Sequence, residues 1–360
     1  MKFIFCFLLS IAFFRVALFA QPHPIFPGLG TEAEPYEIWT VDQWEIFCDS
    51  TYTVNNWTTN KHFRLMQDIG SVSNPITKSA GVLYGHFNGG GNSITVYLDG
   101  TVAIATFGSL GLSSGYGGGS GTIDSLVVNG TIIAYTITVT GSPYGYAAGI
   151  VHTIYNGSVV SNCINNATLI NDIPGSIAAM SSTAGIATHN WGGFIINCVN
   201  NGNINVATVA AGIVGRSTYG LVTNCINNGK ITAYSFLQHS INPNVGYGIA
   251  GIIATEGGGS PVISNCINNG SIEGQNYVGG ITNSNTTALI FNNFNYGFVK
   301  GIKSVGGIIG VIIGNAGINI FNNSNFGVVI GEEDTGCIVG RNNSGGNISN
   351  NHYDKQMCGE

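Results

Sequence analysis

A short phrase that returns down most of the chain restricts its fold more than any other feature. The phrase is Asn-Cys-Ile-Asn-Asn-Gly or a close relative, and later copies replace the thiol with an amide. Its second position lies 27 to 41 residues from the same position in the next copy. This shared slot is occupied in turn by Leu126, Cys163, Cys198, Cys225, Cys266, Asn293, Asn323 and Asn351.

A second phrase accompanies the first. It reads Ala/Gly-Gly-Ile-Val-Gly in its fullest form, begins for example at Ala148, Ala211 and Gly306, and precedes the following slot by 14 to 17 residues. Self-similarity at a period of 20 to 50 residues is typical of a solenoid, in which each unit buries its apolar side only by stacking on its neighbours.

The repeating unit is predicted to be β. Its segments are short, rich in β-branched residues and separated by Asn/Gly turns, with no apolar 3.6-residue periodicity long enough for a helix. The predicted fold class is all-β, a right-handed parallel β-helix with an N-terminal cap. Stacked coils would place the Cys and Asn slots in ladders along the axis, and glycine, with Asn as a substitute, is expected at positive-φ corners.

Composition supports this fold and excludes some partners. Only 8% of the residues are charged, which suits ladders in which charge would be unfavourable. The formal net charge is -6 with 11 Lys plus Arg and no basic cluster, so a nucleic-acid surface is not expected.

The chain divides into four predicted parts. Residues 1–20 read as a secretory signal peptide, because an apolar run follows Lys2 and a polar, Pro-rich stretch follows Ala20. Residues 21–110 are assigned to the cap and first coils, with strand-like segments at 31–38 and 61–69 and helical apolar spacing at 41–48. Residues 111–351 carry the repeats, and residues 352–360 form a tail. No later segment resembles a transmembrane helix.

Several segments together resemble a known family. Residues 30–38, 63–69 and 87–94 and the Gly-Gly-Ile-Val-Gly repeats are similar to secreted β-helix proteins with GLUG-type repeats, common in Bacteroidetes. The resemblance implies a large surface or adhesin-like protein and supplies no catalytic residues. Several repeats here replace Val-Gly with Ala or Ile. Residues 353–358 resemble the segment that leads to further modules in longer relatives, which makes such modules expected partners.

Cysteine usage indicates structure more than chemistry. Cys163, Cys198, Cys225 and Cys266 share one slot and are expected to stack as free, buried thiols, with Asn293 and Asn323 continuing the ladder. Parallel Cβ vectors suit a disulfide poorly. Cys337 and Cys358 are the better candidates for a disulfide in an exported chain. The cysteines are not arranged as Cys-x-x-Cys pairs and no His accompanies them, so no metal site is predicted, and no cofactor is expected.

An enzyme is the main rival interpretation, since parallel β-helices also host polysaccharide lyases and glycosidases. Such chemistry needs converging acids or bases. Between residues 125 and 331 the only carboxylates are Asp172, Glu256 and Glu273, and they fall in different repeats or phases. His152 and His189 are interpreted as ordinary wall residues. No catalytic residue is therefore predicted.

The irregular repeats provide the predicted binding surface. The three longest steps all insert residues between the Asn-Asn-Gly turn and the next Gly-Ile phrase, at 133–147, 170–183 and 232–249. Insertions in a solenoid collect on one face, often the binding face. Aromatic rings there would suit stacking on sugars or burial against a protein. The predicted binding residues are Tyr135, Tyr144, Tyr146, Tyr234, Phe236, His239 and Tyr247.

These observations predict a secreted or cell-surface, adhesin-like module. It would bind an extracellular glycan or surface protein through its wall and insertion loops, without catalysis. The alternatives are a polysaccharide-active enzyme, either lyase or glycosidase, and a structural spacer of a larger surface protein.

Overall fold

The computed structural model describes residues 25–52, 57–112, 119–135, 137–139, 142–172, 182–206, 209–233, 248–256, 259–285, 287–313, 318–343 and 345–358. The predicted signal peptide lies outside these residues. Of the predicted binding residues, so do Tyr234, Phe236, His239 and Tyr247, and the structure describes the backbone of Tyr144 but not its side chain.

The N-terminal part combines one helix with the first strands. Helix α1 spans Val41–Thr51, where the apolar spacing predicts a helix. The strands are β1 Tyr36–Ile38, β2 His62–Leu65, β3 Ala80–Leu83, β4 His86–Asn88 and β5 Ser93–Leu110.

The following coils contain the longest strands. They are β6 Thr122–Asp124, β7 Val127–Tyr135, β8 Ile137–Val139, β9 Ser142–Tyr155, β10 Val159–Ser161, β11 Ile164–Asn165, β12 Thr168–Asp172, β13 Ser182–Ala184 and β14 Ala187–Ile196.

Later coils repeat a shorter pattern. The strands of the next two coils are β15 Val199–Asn200, β16 Ile204–Val206, β17 Val209–Ala211, β18 Val214–Thr223, β19 Ile226–Asn227, β20 Ile231–Ala233, β21 Ile249–Ala250, β22 Ile253–Glu256 and β23 Val262–Ser264. They are followed by β24 Ile267–Asn268, β25 Ile272–Glu273, β26 Asn276–Gly279, β27 Thr282–Asn285, β28 Leu289–Phe291, β29 Phe294–Asn295, β30 Val299–Lys300 and β31 Lys303–Gly306. The last are β32 Ile309–Ile312, β33 Asn319–Phe321, β34 Ser324–Asn325, β35 Val329–Ile330, β36 Glu333–Gly336, β37 Val339–Asn342, β38 Asn347–Ser349 and β39 His352–Tyr353, before a 3₁₀ helix at Lys355–Met357.

Strands pair in parallel with their equivalents one coil away. β19, for example, pairs with β15 on one side and β24 on the other, so that Asn227 lies between Asn200 and Asn268. An antiparallel pair joins β8 to β9 inside the first insertion. The architecture is a parallel β-helix, which confirms the predicted fold class.

Buried asparagines connect the coils through the inside of the solenoid. The Asn200 amide donates to Asn227 Oδ1 at 2.8 Å, and the Asn227 amide donates to Asn268 Oδ1 at 2.8 Å. The same amide nitrogen of Asn227 also donates to Gly229 O at 3.0 Å. This inner ladder comprises Asn165, Asn200, Asn227, Asn268, Asn295 and Asn325, all fully buried.

The inner ladder also explains why two phrases repeat together. A Cβ added at Gly212 would overlap the Asn227 amide, and a Cβ at Gly251 would overlap that of Asn268. The glycine of the second phrase therefore leaves room for the asparagine of the first. Glycine is required at these positions because the asparagine side chain approaches the backbone closely, and not because the backbone has a positive φ angle. Both residue types expected at positive-φ corners are found there: asparagine occupies the regular corner, as at Asn197 (56°) and Asn224 (54°), and glycine occupies others, as at Gly157 (79°).

The slot shared by cysteine and asparagine lies next to this ladder. Cys163, Cys198, Cys225 and Cys266 are free and buried. Each thiol donates to the carbonyl two residues earlier, as Cys225 does to Thr223 O at 3.3 Å. Asn323 and Asn351 make the same contact, Asn323 to Phe321 O at 3.1 Å and Asn351 to Ser349 O at 3.1 Å. Either side chain therefore satisfies the same buried carbonyl. Burial raises the pKa of the Cys163 and Cys225 thiols.

Helix α1 packs aromatic side chains against the first coils. The Trp44 ring meets Phe107 edge-on at 5.6 Å, and the Phe47 ring meets Phe63 at 4.9 Å. Trp44 Nε1 donates to Lys78 O at 3.0 Å, which satisfies the indole of a fully buried side chain.

Near the other end of the chain, Cys337 and Cys358, the pair predicted for a disulfide, form one with Cα atoms 5.5 Å apart. No described helix is long and apolar enough to span a membrane.

A second column of asparagines, Asn166, Asn201, Asn228 and Asn269, is exposed and forms an outer ladder. The inner ladder should contribute more stability than this outer ladder. Asn228, the exposed neighbour of Asn227, also donates to and accepts from equivalent asparagines, at 2.8 Å each way. Asn227→Ala leaves buried amide groups without partners, so we expect a loss of about 3 kcal/mol in the free energy of unfolding. Asn228→Ala leaves groups that water can solvate, and we expect a loss below about 1 kcal/mol.

Denaturant titration followed by circular dichroism measures both changes. Equal destabilisation by the two substitutions would contradict a special role for the inner ladder.

Candidate functional site

The structure gathers aromatic and imidazole rings on the outer surface beside the insertions. Tyr146 ring atoms face His152 and His189, with centroids 5.2 and 5.0 Å away, and the two imidazoles are 5.4 Å apart. The His189 ring lies parallel to Trp191 at 6.1 Å, and the Arg216 guanidinium is 5.7 Å from the Trp191 ring centroid. We call Tyr146, His152, His189, Trp191, Arg216 and Tyr219 the aromatic–histidine patch.

A bulge in β14 projects Trp191 outward. The pairing of β14 with β18 shifts register between Asn190 and Trp191 and again before Phe194. The Asn190 side chain closes the bulge by accepting from Gly193 N at 2.8 Å, and Gly192 adopts a φ of 93°, a conformation that glycine accommodates without strain. Trp191 is consequently 39% exposed although it lies in the middle of a strand.

Aromatic residues also occupy the positions equivalent to Trp191 on the neighbouring coils, or rungs, of the solenoid. Trp191 pairs with Tyr155 on one side and with Tyr219 on the other, so their backbones are one rung spacing, about 4.8 Å, apart. Tyr219 is 57% exposed, and its ring lies where a side chain at Gly259 would be, so the next rung leaves it space. The result is a line of accessible rings that follows the solenoid axis.

The two imidazoles are held in place by one hydroxyl group. Thr188 Oγ1 lies 2.5 Å from His152 Nδ1 and 3.2 Å from His189 Nδ1. Burial lowers the pKa of His152 to about 4. Burial, the neighbouring His152 and the Arg216 charge lower the pKa of His189 to about 3. Both rings are therefore neutral at pH 7, and Arg216 is the charged member of the patch.

Sequence reasoning located part of this site. Tyr146 belongs to the patch, and Tyr135 is 42% exposed on β7. Tyr135 and Tyr146 pair with Thr101 and Ala103 of the same strand, β5. Ring contacts therefore connect the predicted surface at Tyr146 to two histidines that had been interpreted as ordinary wall residues. Trp191, Arg216 and Tyr219 were missed, although Asn190-Trp-Gly-Gly193 is a signal for a bulge.

The carboxylates weighed for catalysis are engaged elsewhere or undescribed. Glu273 forms an ion pair with Lys230 at 2.8 Å. The side chains of Asp172 and Glu256 lie outside the described residues. Within the described part of the chain, no group of three or more His, Cys, Asp or Glu residues is placed to hold a metal ion.

Comparison with known proteins supports the fold. The chain is similar to the crystal structure of a "putative immunoglobulin A1 protease" from Bacteroides ovatus, with a TM-score of 0.50 and 14% identity. The match covers 92% of this chain and 87% of that one. At this identity the likeness shows the fold alone. No protein-family model and no curated protein matches the chain.

Lowering the pH from 7.5 to 5 should destabilise the protein through the two partly buried imidazoles of His152 and His189. Their pKa values in the folded chain, about 4 and about 3, lie below the ordinary 6.5. The unfolded state therefore binds protons that the folded state does not, and stability falls as the pH drops below about 6.5 toward 4. One such imidazole lowers the free energy of unfolding by about 2 kcal/mol at pH 5.

Denaturant midpoints at the two pH values, for the wild type and a His152→Asn/His189→Asn double variant, measure this effect. The double variant should lose much of the pH dependence, whereas His352→Asn, which removes an exposed imidazole, should retain it. The same pH dependence in wild type and double variant would show that the patch histidines do not cause it.

Proposed function

We propose that this chain is a secreted or cell-surface, adhesin-like β-helix module of the GLUG-repeat type, and that it binds a glycan through the aromatic–histidine patch without chemical conversion. The observation that carries the proposal is the line of exposed rings formed by Trp191 and Tyr219 on neighbouring rungs. Flat aromatic faces provide apolar contact with sugar rings at little conformational cost.

The polar members of the patch suit the same ligand. The neutral imidazoles of His152 and His189 offer ring nitrogens for hydroxyl groups. Arg216 adds a planar donor beside Trp191. A protein partner would also use aromatic and Arg anchors. A glycan is favoured because the accessible rings follow the solenoid axis, a geometry that fits an extended polymer of repeating units.

Removing the exposed rings should weaken binding. We expect Trp191→Ala and Tyr219→Ala each to reduce affinity about tenfold, equivalent to about 1.4 kcal/mol. Tyr296→Ala is the matched control, because Tyr296 is 52% exposed and stacks on Phe326 at 5.3 Å but directly follows β29, outside the patch. It should leave the affinity unchanged.

A glycan array identifies the ligand, and isothermal titration calorimetry then measures each variant, with circular dichroism confirming the fold. Undiminished binding by the Trp191→Ala/Tyr219→Ala double variant would contradict the patch. Breakdown of a bound polysaccharide would contradict the proposal and favour the alternative of a polysaccharide-active enzyme.

A further inference from the structure

A groove of about 340 Å³ lies on the outer surface of the first coils, beside the segment that precedes β1. Its floor consists of two rows of in-register side chains. His62 pairs with His86 and then Thr122 in one row, and Arg64 pairs with Asn88 and then Asp124 in the other. Glu32 contributes to the rim.

Beyond Asp124 the two rows carry no charged side chain on the next coils. The row of His62 continues through Val159 to Phe194, and the row of Arg64 continues through Ser161 to Ile196. Only 8% of the chain is charged, yet three charged residues, Glu32, Arg64 and Asp124, line this one groove. The groove therefore combines charges of both signs with uncharged polar side chains.

Hydrogen-bonding capacity remains unused in the groove. Among the described residues, Arg64 has no ion pair and no hydrogen-bond partner. Asn88 Oδ1 accepts from Gly90 N at 2.7 Å, which leaves its amide nitrogen available. His86 Nδ1 lies 2.9 Å from Thr122 Oγ1, so its other ring nitrogen is available, and the His62 ring stacks on it at 4.3 Å.

The carboxylate of Asp124 is already fixed. It accepts hydrogen bonds from Ser161 at 2.6 Å, Asn162 at 2.7 Å and Ser125 at 2.7 Å. These bonds hold it rigidly as an acceptor on the groove floor. Arg64 and Asp124 lie two rungs apart with Asn88 between them, which places a cation, an amide and an anion in sequence along the axis.

We infer that the groove binds a sugar unit that carries a single carboxylate, a hexuronate. The Arg64 guanidinium can pair with the carboxylate in two parallel hydrogen bonds. The sugar hydroxyls can donate to Asp124 and accept from Asn88 and the imidazoles. Arg64 is the only Lys or Arg residue that lines the groove, so it is the group that can pair with a ligand carboxylate. A densely anionic ligand would be repelled by Asp124, by Glu32 and by Glu37, the residue that pairs with Arg64 on β1. The volume lies at the small end of the range for ligand sites, about 300 to 1,000 Å³.

The groove shares no residue with the aromatic–histidine patch, so this inference does not depend on the proposed function. Isothermal titration calorimetry of the whole protein with short oligomers of galacturonate and of mannuronate, and with the methyl ester of each, tests it. We expect the wild type to bind at least one acid oligomer and to bind its methyl ester at least tenfold more weakly, because esterification removes the charge and keeps the hydroxyls.

Variants then assign the binding to the groove. Arg64→Gln should reduce affinity for the acid oligomer at least tenfold, and the Trp191→Ala/Tyr219→Ala double variant should retain it. Arg341→Gln, which removes another exposed Arg, should have no effect. Circular dichroism verifies that Arg64→Gln keeps the fold. The inference would be overturned if neither acid oligomer bound, if acid and ester bound equally, or if Arg64→Gln left the affinity unchanged.

Discussion

In-register stacking of coils through buried amides is the constraint on which the other features of this protein depend. Parallel strands alone permit slippage, since every rung offers similar backbone partners. The inner ladder removes that freedom, because a shift of one residue would replace Asn200 and Asn268 with neighbours that face the opposite side of the sheet and would leave the buried Asn227 amide unpaired. The two repeated phrases then follow from one requirement: an asparagine inside each coil and a glycine that makes room for it.

Fixed register also explains how the surface acquires sites. An outward side chain stands about one rung, 4.8 Å, from its equivalent on the next coil, so residues far apart in the chain form continuous rows. His62 and His86 become stacked rings in this way, and Trp191 and Tyr219 become neighbours. Few charges are available in the chain, and local chemistry therefore arises from the combination of a small number of polar or aromatic residues across rungs.

The sequence was sufficient for those features that depend on repetition. Period, β-branched segments and Asn/Gly turns predicted the parallel β-helix, and the common slot predicted the stacking of Cys163 with Cys198. Helical spacing at 41–48 indicated α1. The patch could not be predicted fully, since the contact of Tyr146 with His152 and His189 depends on how neighbouring strand segments face each other. The groove was missed because it combines Glu32 of the segment before β1 with rows whose register appears only once β2, β4 and β6 are aligned.

The two columns of asparagine amides run in opposite directions. In the inner ladder each amide nitrogen points to the following coil, as from Asn200 to Asn227, whereas in the outer ladder it points to the preceding coil, as from Asn228 to Asn201. Their dipoles therefore oppose one another across a single sheet. An α-helix accumulates partial charges at its ends because its peptide dipoles align. The paired columns oppose one another in the coils from Asn166 to Asn269, so these coils accumulate little electrostatic moment from their side-chain amides. In the next coils Tyr296 and Phe326 take the outer position, and the inner ladder continues there without an opposing column.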